Sequence, residues 1–95
     1  MFVRIARFEG DPADADQAVA QVRERMKAGR PPGLEVLKRL LVLVDRESGR
    51  GLGLTFFATQ DDLRRGDEAL NAMTPQGSSR RTSVETYEVG LDEEL

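Results

Sequence analysis

The hydrophobic positions alternate with polar ones near both ends of the chain and recur at helical spacing in two stretches between. Residues 1–8 place Val3 and Ile5 on one side of the chain and Arg4 on the other. This period of two, with β-branched and aromatic residues, predicts a strand. Residues 81–89 alternate in the same way and predict the last strand.

The first helical pattern covers residues 12–28. Asp11 is a favourable N-cap, Pro12 stands at the first helical position, and Gly29 stands where a C′ glycine is expected. These signals predict an amphipathic helix with both ends defined.

The second helix is predicted to begin after Thr59, whose hydroxyl can cap it. Its glycine lies on the apolar stripe, which predicts a close approach of this helix to the sheet in spite of the loss of helix propensity. The residues of the stripe are Leu63, Gly66, Leu70 and Met73.

The middle of the chain predicts a hairpin. Residues 40–44 are continuously apolar, which predicts a strand buried on both faces. The polar turn 45–49 joins them to a strand over 51–59. Residues 34–37 fit either a turn or the start of a strand, and residues 74–79 carry the breakers of a loop.

The order β-α-β-β-α-β predicts a ferredoxin-like α+β fold, with two helices on one face of a four-stranded antiparallel sheet. One domain covers 1–90, and 91–95 form an acidic C-terminal tail. We expect Leu41, Leu43, Phe57 and either Phe2 or Phe8 to project from the uncovered face. Because a soluble monomer seldom exposes such a surface, a two-fold homodimer is expected.

Composition limits the chemistry. The chain has no His, no Cys and no Trp, which removes imidazole bases, thiolates and the imidazole ligand of haem. No calcium-loop pattern occurs, and we expect neither a metal nor a cofactor. The net charge of −3 gives no broad attraction to nucleic acid. Without an apolar run long enough to cross a bilayer, no membrane partner and a cytoplasmic location are expected.

Two segments resemble a known family. Residues 43–64 (LVDRESGRGLGLTFFATQDDLR) resemble the central hairpin and second helix of small dimeric α+β barrel proteins of the antibiotic biosynthesis monooxygenase-like group. Residues 81–89 (RTSVETYEV) resemble the last strand of these proteins. The resemblance implies a homodimer with facing sheets around a cavity, where some members bind or oxidise small aromatic molecules.

The sequence departs from this family in its chemistry. Members that bind haem use a His, which is missing here. The monooxygenases are associated with Asn, Trp and Tyr in the pocket, but this chain has no Trp and its single Asn71 falls on the second helix. No catalytic residue is therefore transferred from the family.

Four residues are candidates for lining the cavity between the sheets: Arg4, Thr55, Phe57 and Tyr87. Arg4 fits a clamp for a carboxylate or phenolate, and equally a partner for Glu85 or Glu88 of a neighbouring strand. The threonine and phenylalanine share one face of the central strand, where a dimer core explains them as well as a pocket does. The tyrosine is interpreted mainly as a packing residue.

Three functions are compatible with these patterns. The first is binding, or cofactor-independent oxidation, of a small aromatic molecule, and the second is a non-catalytic dimerisation or regulatory module. The third is RNA binding, because residues 50–57 match the third-strand frame of the RNA-recognition motif. Its two stacking positions hold Leu52 and Leu54, which lack a π-face, so RNA binding is disfavoured.

Overall fold

The computed structural model describes residues 1–74 and 78–95. The element order β-α-β-β-α-β is confirmed. Of the predicted loop 74–79, residues 75–77 lie outside the described residues. The elements are β1 (Phe2–Glu9), a 3₁₀ turn (Pro12–Asp14), α1 (Ala15–Lys27), β2 (Arg39–Val44), β3 (Arg50–Phe57), α2 (Gln60–Asn71) and β4 (Arg80–Glu88).

The four strands form one antiparallel sheet in the order β2-β3-β1-β4. The register places Arg4 opposite Thr55 on β3 and opposite Thr86 on β4. Arg4 hydrogen-bonds to α2, so the face of the sheet that carries Arg4, Thr55 and Thr86 is the one that faces the helices. The neighbouring row, which contains Ile5, Leu54 and their cross-strand partners, forms the open face of the sheet. The predicted ferredoxin-like α+β fold is confirmed.

Side-chain caps form at both predicted residues, but Asp11 caps the 3₁₀ turn and not α1, whose own N-cap Asp14 makes no side-chain cap hydrogen bond. The Asp11 Oδ1 accepts a hydrogen bond of 3.0 Å from the Ala13 N–H, and the Thr59 Oγ1 accepts one of 3.1 Å from the Asp62 N–H. Gly29 follows α1 with a φ of 115°, in the left-handed region where glycine carries no steric penalty. Local sequence therefore determines where the 3₁₀ turn and α2 begin and where α1 ends, and the helix predicted over 12–28 begins as this turn before α1.

The core lies between α2, the sheet and the segment before β2. Leu34 and Leu37 are buried in it, together with Phe57 and Leu63. Residues 34–37 form turns, since the Leu34 N–H donates to the Pro31 carbonyl at 3.0 Å and the Leu37 N–H to the Leu34 carbonyl at 3.1 Å. Of the two alternatives for this segment, the turn is correct.

The prediction that residues 40–44 are buried on both faces is wrong. In the single chain Val42, Leu43 and Val44 are 36%, 44% and 38% exposed. The reason is that β2 is an edge strand, with β3 on one side only. In addition α1 contains no buried residue, so it covers β2 incompletely.

The uncovered face also differs in part from its prediction. Leu41 and Leu43 pair with Leu54 and Leu52 on the open face, as expected. Phe57 instead lies, with Phe2 and Phe8, on the face of the sheet that faces the helices, and Phe57 is fully buried there. None of the described helices combines the length and the apolar character needed to cross a membrane.

Candidate functional site

A buried arginine on β1 is fixed by α2. Arg4 is only 3% exposed, and its Nε donates a hydrogen bond of 2.7 Å to the Asp67 Oδ1. Its Nη2 donates a second, of 2.9 Å, to the Asn71 Oδ1. The carboxylate balances the buried charge, and the two bonds hold the guanidinium plane in one orientation.

The residue across from it on β3 has a buried hydroxyl without a partner. Thr55 is 5% exposed, and within residues 1–74 and 78–95 its Oγ1 has no hydrogen-bond partner. A buried polar group left in this state is destabilising and calls for an explanation, because nearly all such groups in folded proteins are paired.

Both side chains line a cavity of about 240 Å³ between the sheet and α1. The cavity exists because α1 stands away from the sheet: none of its side chains is fully buried, although Met26 packs against the core. Its walls are largely apolar, with small side chains along the helix. The α1 residues that contribute to the wall include Ala15, Ala18, Val19, Val22 and Met26.

Two further arginines reach the cavity beside the C-terminal end of α2. Arg81 Nη1 donates to the carbonyl oxygens of Leu70 and Met73, at 3.1 and 3.4 Å. This cation compensates the helix dipole, since α2 has no basic residue in its own last turn. Arg25 of α1 contacts the Met73 Sδ at 4.0 Å. With Arg4 and Arg50, four arginines therefore line one mainly apolar space, together with two carboxylates, Asp11 and Asp14.

The predicted site residues divide into three groups. Arg4 and Thr55 come together at this cavity. Phe57 lies behind it in the core, against Gly66. Tyr87 lies on the open face, 52% exposed.

The expectation that Arg4, Thr55 and Phe57 face a space between two sheets is wrong, because all three lie on the face of the sheet that is turned toward the helices. Neither glutamate proposed as a partner of Arg4 pairs with it. Glu85 lies on the open face, opposite Ile5, and the partner is Asp67.

A local hydrogen bond perturbs the tyrosine on the open face. The Tyr87 hydroxyl donates to the Glu85 Oε2 at 2.5 Å. The pKa of Tyr87 is raised, first because ionisation would lose this bond and then because the carboxylate repels a phenolate. The arrangement favours the neutral phenol.

Sequence reasoning missed the contributions of Arg25, Arg81 and α1. The small residues Ala15 and Ala18 on the apolar side of α1 were the available signal, because small side chains leave space next to a sheet. No group of three acidic side chains able to hold a metal ion occurs among the residues that the structure describes.

Comparison with known proteins finds similarity in structure only. No protein-family model and no curated protein matches the sequence. HapK from Hahella chejuensis has a TM-score of 0.67 at 14% identity, over 100% of this chain and 99% of that chain. The heme-degrader MhuD from Mycobacterium tuberculosis, with two hemes bound in its active site, has a TM-score of 0.66 at 14% identity, over 99% and 100%. An antibiotic biosynthesis monooxygenase has a TM-score of 0.60 at 14% identity, over 94% and 98%.

These similarities extend over nearly the full length of the chains on both sides. The resemblance to the antibiotic biosynthesis monooxygenase-like group is therefore confirmed at the level of the fold. The protein has the α+β fold of that group, with an arginine-bordered cavity between its sheet and its first helix.

Proposed function

We propose that this protein binds a small, mainly apolar and aromatic molecule with one acidic oxygen, in the cavity between the sheet and α1. The single observation that carries the proposal is the unpartnered, buried Oγ1 of Thr55, directly across from the buried Arg4. An acceptor oxygen of the ligand would complete the hydrogen bonds of both groups.

The polar groups favour an anion. Two nitrogens of Arg4 are used by α2, while its Nη1 has no hydrogen bond to a described residue. Arg25, Arg50 and Arg81 also line the cavity, and with Arg4 they outnumber its two carboxylates, Asp11 and Asp14. A carboxylate or phenolate suits this field, and the apolar wall suits the rest of an aromatic molecule.

Oxidation without a cofactor is the finer proposal. In this reaction one phenol and one O₂ give one para-quinone and one water, so the ring is oxidised and O₂ is reduced. Arg4 would stabilise the electron-rich phenolate that reacts, and the apolar wall would exclude water from it. The structural similarity to a monooxygenase supports this class of reaction at the level of the fold.

Haem does not fit the donor set. Of the usual protein ligands of haem iron, the cavity offers only the thioethers of Met26 and Met73. Arg25 contacts the Met73 sulfur, and Tyr87 lies on the open face. We therefore derive no chemistry through haem for this chain.

Two-dimensional NMR with 2-naphthoate as the probe tests the site, and the neutral 2-naphthamide is its matched control. We expect 2-naphthoate to bind about tenfold more tightly, since charge-assisted hydrogen bonds are the stronger ones. The shifts should map to α1, Arg4 and Thr55. Ala18→Phe, which fills the cavity, should abolish binding, whereas Ala20→Phe on the exposed side of α1 should not. Shifts confined to the open face would contradict the site.

We also propose a homodimer through the open face. Its apolar side chains would otherwise remain uncovered, with Leu43 44% exposed. Leu54→Lys should give a monomer in sedimentation velocity, and Thr86→Lys on the other face should leave the dimer intact. Circular dichroism checks that both variants fold. If the dimer forms but no probe binds, the second candidate, a non-catalytic dimerisation module, is favoured instead.

A further inference from the structure

A groove runs between α1 and the edge strand β2, next to the cavity, with which it shares much of its apolar lining. Its volume is about 590 Å³. Apolar side chains form its floor, among them Val22, Met26 and Leu40. Basic side chains border it: Arg23, Lys27, Arg30 and Lys38, whereas the guanidinium of Arg39, a further residue of the lining, lies over the Phe56 ring on the open face. No acidic residue belongs to its lining.

Most of this positive charge is not neutralised by neighbouring side chains. Lys27 forms an exposed ion pair with Glu24 at 3.7 Å. Arg23, Arg30 and Lys38 form no ion pair with a carboxylate in the part of the chain that the structure describes, although the Arg30 Nη1 donates to the Glu35 and Leu37 carbonyls. Four cations bordering one apolar groove suit an acidic segment with apolar side chains at its ends.

The chain carries a segment of this chemistry at its other edge. Residues 91–95 read Leu-Asp-Glu-Glu-Leu, and all five are exposed. The segment follows β4, where the Val89 N–H donates to the Met1 carbonyl at 2.9 Å. In an extended tail Leu91 and Leu95 lie on the same side, about 13 Å apart, with the three carboxylates between them.

We propose that the acidic tail 91–95 docks in the basic groove of a second copy of the chain. Within one copy the groove lies at the β2 edge and the tail leaves from the β4 edge, with β3 and β1 between them. In that copy the tail is exposed, and Leu91 is 76% accessible. The complementary occupant therefore comes from another molecule.

The edge strand offers a second means of attachment. β2 pairs with β3 on one side, so the backbone groups of its outer side are free of a strand partner among the described residues. An extended tail can add to such an edge through main-chain hydrogen bonds while its side chains enter the neighbouring groove. Leu40 and Val44 are spaced four residues apart on this strand, as Leu91 and Leu95 are in the tail.

The proposal rests on the facing-sheet dimer for its geometry. If the two-fold axis lies parallel to the strands, the β4 edge of one copy lies over the β2 edge of the other. Each tail then reaches the groove of the other copy, and two equal contacts close the assembly. The two docked tails would add stability to the dimer that the facing sheets form.

Cysteine cross-linking tests the docking, because the chain has no cysteine of its own. Full-length protein carrying Leu95→Cys is mixed with protein carrying Arg23→Cys in the groove. The matched control partner carries Ala20→Cys, which is on the exposed side of the same helix. We expect the groove pair to form a mixed disulfide about tenfold faster than the control pair, because docking raises the effective concentration. The advantage should largely vanish at 1 M NaCl, where charges are screened over about 3 Å.

Charge exchange provides a second measurement. Converting Asp92, Glu93 and Glu94 to Lys should remove the cross-linking advantage, and adding Lys27→Glu with Lys38→Glu to the partner should restore part of it. Equal rates for the groove and control pairs in a protein that sediments as a dimer would overturn the docking and leave the sheet dimer standing. A protein that sediments as a monomer at the same concentration would overturn both.

Discussion

The ring of Phe57 lies directly against the α-carbon of Gly66. A Cβ built on Gly66 would meet the Phe57 Cζ at 2.3 Å, a separation that real structures do not show. Both residues are buried, so the ring has little room to move away. This contact sets the distance between α2 and the sheet. It therefore also sets the position from which Asp67 on α2 reaches Arg4 on β1.

Gly66→Ala should therefore destabilise the protein. Alanine favours the helix by about 1 kcal/mol, but overpacking typically costs about 1–3 kcal/mol and the clash here is severe. We expect the free energy of unfolding in urea to fall by about 2 kcal/mol. Gly90→Ala, which meets nothing within 4 Å, is the control and should change little. A Gly66→Ala protein more stable than the parent would show that the helix can shift outward freely.

Thr55→Val should raise stability and weaken binding together. Valine has nearly the shape of threonine and removes the buried hydroxyl that lacks a partner, which should add about 1 kcal/mol to the free energy of unfolding. The same change removes a donor to the 2-naphthoate probe. Thr86→Val, an exposed position in the same cross-strand row, should affect neither quantity. Loss of stability in Thr55→Val would mean that the hydroxyl has a partner in the free protein.

Because Asp67 is the ion-pair partner of the buried Arg4, we expect the single variant Asp67→Ala to lose more stability than the double variant that also replaces Arg4. Asp67→Ala leaves the Arg4 charge buried without its carboxylate and should cost about 3 kcal/mol. Adding Arg4→Met removes the stranded charge and should recover at least about 1 kcal/mol. The exposed pair of Asp61 and Arg64 on the same helix is the control, and Asp61→Ala should cost less than about 1 kcal/mol. Additive losses at Arg4 and Asp67 would argue against the pairing.

Asp45 in the hairpin turn should make the free energy of unfolding depend on pH. The pKa of Asp45 is lowered from its ordinary value of 3.8, first by the Glu47 N–H and then by Ser48. A lowered pKa in the folded state stabilises the protein above about pH 4, and this contribution is lost as the pH falls through the folded value. The stability difference between the parent and Asp45→Asn should therefore shrink from pH 7 to about pH 2. An unchanged difference, measured by urea unfolding at both pH values, would exclude this contribution.

Local signals in the sequence were enough for the order of elements and the helix ends. Asp11, Gly29 and Thr59 act within a few residues of themselves, so their roles follow from residue type and position. The close approach at Gly66 followed from its place on a helical stripe. These features need no knowledge of distant parts of the chain.

The faces of the strands could not be assigned in the same way. β3 ends in two adjacent phenylalanines, Phe56 on the open face and Phe57 under the helices, so its alternation is apolar on both sides. Which of the two phenylalanines faces the helices is decided only by the packing of β3 against helices that lie elsewhere in the chain. Leu34 was missed as a core residue because it lies in a turn without periodicity. The cavity depends on how far α1 stands from the sheet, which no local pattern encodes.

The way α1 is held has a consequence for hydrogen exchange. No side chain of α1 is fully buried, so less free energy opposes its local opening than that of α2, which buries Leu63 and Gly66. The amides of α1 should therefore exchange with solvent sooner than those of α2. A molecule seated between α1 and the sheet would supply the packing that the helix lacks. Slower exchange along α1 would then report occupancy of the site, and the helix itself would serve as the sensor in a screen for the natural ligand.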